Sequence, residues 1–215
     1  MDRLDKTASA HAGPAAGMGP DGDPARIGPN AITQVAAALS ARSGPERAAA
    51  VLGEAGLGSY LLSPPAGMVP ESEVVALHRS LRAALDGVER EMICRDAGER
   101  TADYLLANRI PRPVQALLKV LPASLASRVL LAAISRHAWT FAGSGRFGAV
   151  AGNPVRLSIE GCALCRGAAF DAPGCVYYAA TFERLYRVLV SPRAIAREVA
   201  CEGCGAPACR FEVAW

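Results

Sequence analysis

The sequence predicts an α+β fold with its helices first and its strands after them. Three observations predict it. From about residue 30 to 137, apolar residues recur at helical spacing. After about residue 138, short segments rich in β-branched and aromatic residues are bounded by Gly and Pro. One helix interrupts these segments, without the regular strand–helix alternation that a parallel α/β sheet requires.

Each element follows from its residues. Residues 1–29 are rich in Gly, Pro, Ala and Asp and read as a disordered tail. Asn30 can cap a helix over AITQVAAALSAR. Ser43 and Pro45 open a second, PERAAAVLGEAG, which Gly56 and Gly58 end. The loop GLGSYLLSPPAGMVP leads to a long helical stretch from Glu71, where Val74, Leu77, His78, Leu81 and Leu85 share one face. ERTADYLLANRI continues it until Pro111 and Pro113. VQALLKVL and PASLASRVLLAAISRHAW add two helices, split near Pro122. AWTFAG, PVRLSIEG, AIAREVAC and ACRFEVAW read as strands. PGCVYYAATFERLYRVLV reads as a helix with Tyr178, Phe182, Leu185 and Leu189 on its core face. The domain expected is therefore 30–215, with a helical part over 30–137 and a sheet part over 138–215.

Composition narrows the function. Hydrophobic residues make up 51% of the 215, enough for a sizeable core, and the net charge is only +3. No Lys/Arg block stands out, so nucleic-acid binding has no electrostatic footprint. No run of about 18 apolar residues suggests a transmembrane helix. The N-terminus lacks the apolar centre of a secretory signal, so a reducing, cytoplasmic compartment is expected. Clustered cysteines in such a compartment suit metal or redox chemistry better than structural disulfides.

Six of the seven cysteines fall between residues 162 and 209, and Cys94 stands apart as a small buried hydrophobe. Two zinc arrangements are open. One pairs the CxxC of Cys162 and Cys165 with that of Cys201 and Cys204, because a two-residue gap turns both sulfurs toward one tetrahedral ion. An iron–sulfur cluster on the same four is a variant of it. The other takes Cys175 at a helix start, Glu198 and Cys201 on a strand, and Cys209 on the returning strand. It needs a bulge or bend to aim Glu198 and Cys201 at one ion. Free thiols without metal are the third alternative.

GSGRFG at 143–148 matches the dinucleotide spacing GxGxxG, but AVAGNP leaves no room for the helix whose N-terminus would hold a pyrophosphate. A flexible turn between two strands is expected instead. His11 falls in the tail. His78, on its apolar face, and His137, just before Trp139, are candidate axial ligands of a metalloporphyrin. For each, the plainer reading is a histidine satisfied by a backbone carbonyl.

SRHAWTFAGSGRF, GAPACRFEV and AGERTADYLLANRIPRPVQALLKVLPASLASRVL resemble the J-protein family of bacteriochlorophyll biosynthesis, a family called 4-vinyl reductases. Its C-terminal vinyl-reductase domain also occurs in aromatic-responsive bacterial activators. The resemblance runs from about residue 30 to 215. It implies a fold like the Bet3-type trafficking subunits, a helical layer packed on an antiparallel sheet, usually dimeric. It also implies a structural zinc on the positions matching the sensor members' ligands, Cys175, Glu198, Cys201 and Cys209. Cys162, Cys165 and Cys204 are extra to that pattern. By the same resemblance, Trp139, Phe141, Tyr177, Tyr178 and Phe182 are candidates to line an apolar pocket, with Arg136, Arg146 and Arg156 near it for propionates.

Three functions follow from the resemblance. The first is a carrier that holds a Mg-porphyrin or (proto)chlorophyllide intermediate and delivers it to a pathway enzyme, in the cytoplasm or peripheral to the photosynthetic membrane. The second is a vinyl reductase acting on a chlorophyllide intermediate. The third is a small-molecule sensor or scaffold. The carrier is expected ahead of the enzyme because the chain shows no convincing nicotinamide or flavin site.

Overall fold

A computed structural model describes residues 25–215. The tail reading of residues 1–24, with His11, lies outside the described residues. The ordered domain starts before residue 30. Ala25 and Ile27 are buried, and β1 (Arg26–Ile27) pairs antiparallel with β2 (Val69–Pro70).

The helical half follows the predicted order with shifted boundaries. Helix α1 spans Asn30–Ser43; Pro29 precedes it, and Asn30 opens the helix without capping it through its side chain. Gly44, at φ +87°, turns the chain into α2 (Pro45–Glu54), which has proline in its first turn. The stretch read as one long helix from Glu71 is two. Leu85 is extended after α3 (Glu71–Ala84), and the Asp86 carboxylate accepts the Glu89 N–H at 2.8 Å, capping α4 (Gly87–Asn108). Pro111 and Pro113 do more than break a helix. They flank the first residue of α5 (Arg112–Val120), and Pro122 likewise sets the start of α6 (Ala123–Arg136).

The predicted strand AWTFA is a short helix, α7 (Trp139–Ala142). Its aromatic residues favour a strand, but local bonds win. Thr140 Oγ1 donates to the His137 carbonyl at 2.7 Å, and the N–H groups of Phe141 and Ala142 both donate to the Ala138 carbonyl. The strand begins later, as β3 (Arg146–Val150), inside the predicted glycine turn.

The main sheet is antiparallel in the order β3-β4-β6-β5, with β4 over Val155–Glu160, β5 over Ile195–Ala200 and β6 over Cys209–Ala214. Val155, Leu157 and Ile159 pair with Val213, Phe211 and Cys209 and are buried with them on the inner face. Each of the large apolar side chains among them contributes about 1.5–3 kcal/mol by leaving water. On the outer face Arg146 pairs with Glu160 and Arg156 with Glu212, each directly across the ladder.

Helix α8 (Val176–Leu189) lies between this sheet and α4, and is buried on both sides. Tyr178 and Phe182 meet Phe211 of the sheet at ring-centroid distances of 6.1 and 5.6 Å. Tyr177 and Thr181 face α4 instead. The Tyr177 hydroxyl bonds Thr101 Oγ1 at 2.8 Å, and Thr181 Oγ1 donates to the Gly98 carbonyl. Gly98 permits that approach, since a Cβ there would strike the Tyr177 carbonyl and the Ala180 side chain. This packing fixes the N-terminus of α8, where Cys175 sits, against the sheet.

Candidate metal centre

Five cysteines and one glutamate converge beneath one end of the sheet. Cys209 reaches it because β6 alternates inward at Cys209, Phe211 and Val213. Glu198 points inward by the same period, opposite Phe211. An unbroken strand would then send Cys201 outward. The register shifts between Glu198 and Ala200, and this bulge restores Cys201 to the inner side. Cys175 precedes the first turn of α8. Cys162 and Cys165 stand on a short 3-10 turn (Ala163–Cys165) just after β4.

The donors form two overlapping sets. Cys175, Glu198, Cys201 and Cys209 have ligand atoms all within 4.8 Å of one another, and so do Cys162, Cys165, Cys175 and Cys209. The sulfur–sulfur distances Cys175–Cys201, Cys175–Cys209 and Cys201–Cys209 are 3.8, 3.7 and 3.8 Å. A tetrahedral ion with metal–sulfur bonds of about 2.3 Å has edges of about 3.8 Å. All five thiols are free and buried. Glu198 Oε2 accepts the Cys175 N–H at 2.6 Å, while its buried Oε1 has no hydrogen-bond partner among the described residues. An orphaned carboxylate oxygen facing three thiols at tetrahedral spacing fits a metal ion.

Electrostatics agree with that chemistry. Burial, helped by the Cys201 sulfur, pushes the Glu198 carboxyl up to about 8. Contacts among the sulfurs, those with Cys162 first, drive Cys165 down and Cys175 and Cys209 up. Such a cluster holds little negative charge with protons alone, and a cation that replaces the protons relieves it.

Two clamps hold the centre, and neither stands out in the sequence. Glu202 accepts the Gly161 and Cys162 N–H groups at 2.6 and 2.7 Å, tying the Cys162–Cys165 turn to the β5–β6 loop. Glu71, buried at the start of α3, accepts both terminal nitrogens of Arg166 at 3.0 and 3.1 Å, and the Ser144 N–H and hydroxyl at 3.2 and 2.7 Å. A Cβ on Gly143, at φ +60°, would lie 2.5 Å from a Glu71 carboxylate oxygen. The glycines of GSGRFG therefore form a close-packed turn between α7 and β3 around the protein's own carboxylate. The expected flexible turn between two strands is not what forms. An acidic residue inside the CEGC spacing was the available signal for Glu202. Nothing in the sequence marks the distant partners of Glu71.

The other predicted residues are dispersed. Cys204 is exposed and belongs to neither set, so the two CxxC pairs do not form one four-cysteine site. Cys94 is buried alone, as read, and burial pushes its thiol up to about 12. His78 is buried, held down to about 3 by burial, and its Nε2 has no partner among the described residues. His137 is exposed at the end of α6, and its Nδ1 lies 2.9 Å from the Ala133 carbonyl. Phe141, Tyr178 and Phe182 pack on one another and on Phe147 and Phe211. Tyr177 faces α4, and Trp139 is 62% exposed. Arg146 and Arg156 lie on the outer face of the sheet in ion pairs, and Arg136 is exposed on α6. Among the described helices, none is long and apolar enough to cross a membrane.

Helices on an antiparallel sheet, with paired cysteine turns at one end, define a protein of the 4-vinyl reductase domain class: the model of that domain matches residues 155–214, which contain the whole cysteine cluster. Two relatives extend the match over most of the chain. One, from Cereibacter sphaeroides, is 47% identical over 188 residues, covering 87% of this chain and 90% of the relative. The other, from Rhodobacter capsulatus, is 40% identical over 192 residues, covering 89% and 88%. Both are named Bacteriochlorophyll synthase 23 kDa chain, and the chain belongs to this family of bacteriochlorophyll biosynthesis. Among solved structures, an Fe(II) unliganded H-NOX protein mutant from K. algicida shares the fold. Its TM-score is 0.55 at 14% identity, covering 87% of this chain and 96% of that one. The phenol-responsive sensory domain of the activator PoxR matches with a TM-score of 0.41 at 16% identity, covering 67% and 74%.

Proposed function

We propose that the chain is a tetrapyrrole-binding carrier of bacteriochlorophyll biosynthesis. It holds a Mg-porphyrin or chlorophyllide intermediate and passes it to a pathway enzyme, while zinc on Cys175, Glu198, Cys201 and Cys209 braces the sheet. Family membership supports the pathway. The observation that carries the pigment reading lies at the end of α6. The contact of His137 Nδ1 with the Ala133 carbonyl selects the tautomer that leaves Nε2 as an acceptor, which is how a protein orients an imidazole for a metal. Exposed Trp139 stands two residues on.

Val114, Leu117 and Val120 of α5 and Leu125 and Val129 of α6 are also exposed, an apolar area suited to a flat macrocycle. His137 is therefore the axial ligand proposed in preference to His78, which the helices enclose. Phe141, Tyr178 and Phe182, packed on one another, serve this reading as support behind Trp139. Arg136, free of the outer-face pairs that hold Arg146 and Arg156, is the propionate partner it retains. Zinc suits a closed set of three thiolates and one carboxylate, and its role there is structural. The reading includes a homodimer, which sedimentation of the pigment-free chain checks.

Titration of the full chain with Mg-protoporphyrin, followed by absorbance and Trp quenching, tests the carrier. We expect saturable binding that His137→Ala weakens at least ~10-fold, with the vinyl group unchanged when NADPH is added. Conversion to the ethyl product would replace the carrier with a reductase. Equal affinity of the variant would remove His137 as the ligand.

A further inference from the structure

The two donor sets share an edge, Cys175–Cys209. We propose that the centre holds two metal ions: one on Cys175, Glu198, Cys201 and Cys209, the second on Cys162, Cys165, Cys175 and Cys209, with the Cys175 and Cys209 thiolates bridging them. The proposal rests on the cluster being a metal centre and adds an ion and two ligands to it.

Geometry supplies the first argument. The shared edge is 3.7 Å, and the second set adds Cys162–Cys175 at 3.7 Å and Cys165–Cys209 at 3.5 Å. These match the edge of about 3.8 Å expected for a tetrahedral zinc–thiolate site, and a disulfide at about 2.05 Å is far shorter. The second set is a complete tetrahedron of protein donors, so it is a closed, structural type of site.

The surroundings of Cys162 and Cys165 supply the second. Both are almost fully buried, at 0% and 2% exposure. The only hydrogen-bonding neighbours of their sulfurs among the described residues are other cluster sulfurs and, for Cys165, the Cys162 carbonyl at 3.9 Å. With a single ion on the Glu198 set, two thiols would be buried against a finished anionic centre with nothing to bind. Their turn is nevertheless firmly held. Glu202 takes the N–H groups of Gly161 and Cys162, and Arg82 donates to the Leu164 carbonyl at 2.8 Å, bringing a guanidinium beside the cluster. The Glu202 N–H points at Cys209 Sγ at 3.4 Å, a contact that favours a thiolate there.

Charge supplies the third. A second divalent ion neutralises the charge that Cys162 and Cys165 bring as thiolates, so the net charge of the centre is the same with two ions as with one. Sharing two thiolates lets six donors satisfy both ions. The donors are soft and sulfur-rich, which selects zinc-class divalent ions over magnesium or calcium.

Metal content of the purified full chain by elemental analysis, with anaerobic cobalt(II) titration of the demetallated chain, tests this. We expect two equivalents per chain, thiolate-to-cobalt absorbance that grows to two equivalents, and a paramagnetic resonance signal that falls as the second ion couples to the first through the bridges. The Cys162→Ser/Cys165→Ser double variant should bind one equivalent, half the wild-type content, and show an uncoupled signal. Saturation of wild type at one equivalent overturns the second ion and leaves the first standing. Two uncoupled ions overturn the bridges. Inorganic sulfide with a brown colour overturns the zinc-class assignment, and no metal at all removes both this proposal and the zinc of the carrier reading. Because the wild-type stoichiometry is read directly, a variant that fails to fold does not blunt the test.

Discussion

The cysteine end of the sheet and the α5–α6 end of the helical half treat their side chains in opposite ways. At the first, polar and ionisable groups are buried and tied to one another: five thiols, Glu198 with one bonded oxygen, and Glu71 under four hydrogen bonds. At the second, apolar groups are left in water. Leu118 is the one buried side chain of α5, while Leu117 is 54% and Val120 80% exposed. The costs run in reverse directions, since buried charge is tolerated only when paired and exposed apolar area only when something uses it. One end uses its chemistry to hold the fold. The other contributes little to it and is free for a ligand.

The largest test of that contrast is Cys209→Ser. Cys209 belongs to both donor sets, so the variant should lose metal and at least about 4 kcal/mol of stability together, measured by urea unfolding beside elemental analysis. Retained metal would break the contrast at its first term. Arg166→Ala should come next. It leaves the buried Glu71 carboxylate without its cation, at a cost of about 3–5 kcal/mol, and the midpoint of urea unfolding should fall accordingly. A loss under about 1 kcal/mol would show that Ser144 alone suffices. The smallest effect belongs to Leu117→Ser/Val120→Ser, expected to change stability by less than about 0.5 kcal/mol while weakening Mg-protoporphyrin binding severalfold. A large loss of stability there would mean that the α5 face is covered by protein in solution.

What the sequence made legible follows the range of the forces involved. Prolines and glycines punctuate locally, so α2, α5 and α6 could be placed from Pro45, Pro111–Pro113 and Pro122. Alternation exposed β4, β5 and β6. The grouping of Cys175, Glu198, Cys201 and Cys209 came from resemblance, and the bulge that it required is present at Glu198–Ala200. Three things were not legible. Trp139–Ala142 carries strand-forming side chains, yet hydrogen bonds from Thr140 and the preceding turn keep it helical. The fate of Cys162 and Cys165 depends on Glu202, two loops away in the chain, and no spacing rule connects them. The pocket expected from Phe141, Tyr178 and Phe182 is filled by those rings stacking on each other, a packing outcome that residue types alone do not decide.

The Glu71 clamp bears on the order in which a growing chain can assemble. Glu71 leaves the ribosome well before Ser144 and Arg166, and until they arrive its carboxylate has no partner to compensate burial. The start of α3 must therefore stay hydrated while α4 to α7 are being synthesised. The turn bearing Cys162 and Cys165 is anchored on one side by Arg166 and on the other by Glu202, which follows still later. Metal capture is thus a closing event of biogenesis, and a chain stalled before residue 202 would present α3 and the first cysteines to the cell's quality-control machinery as unfinished.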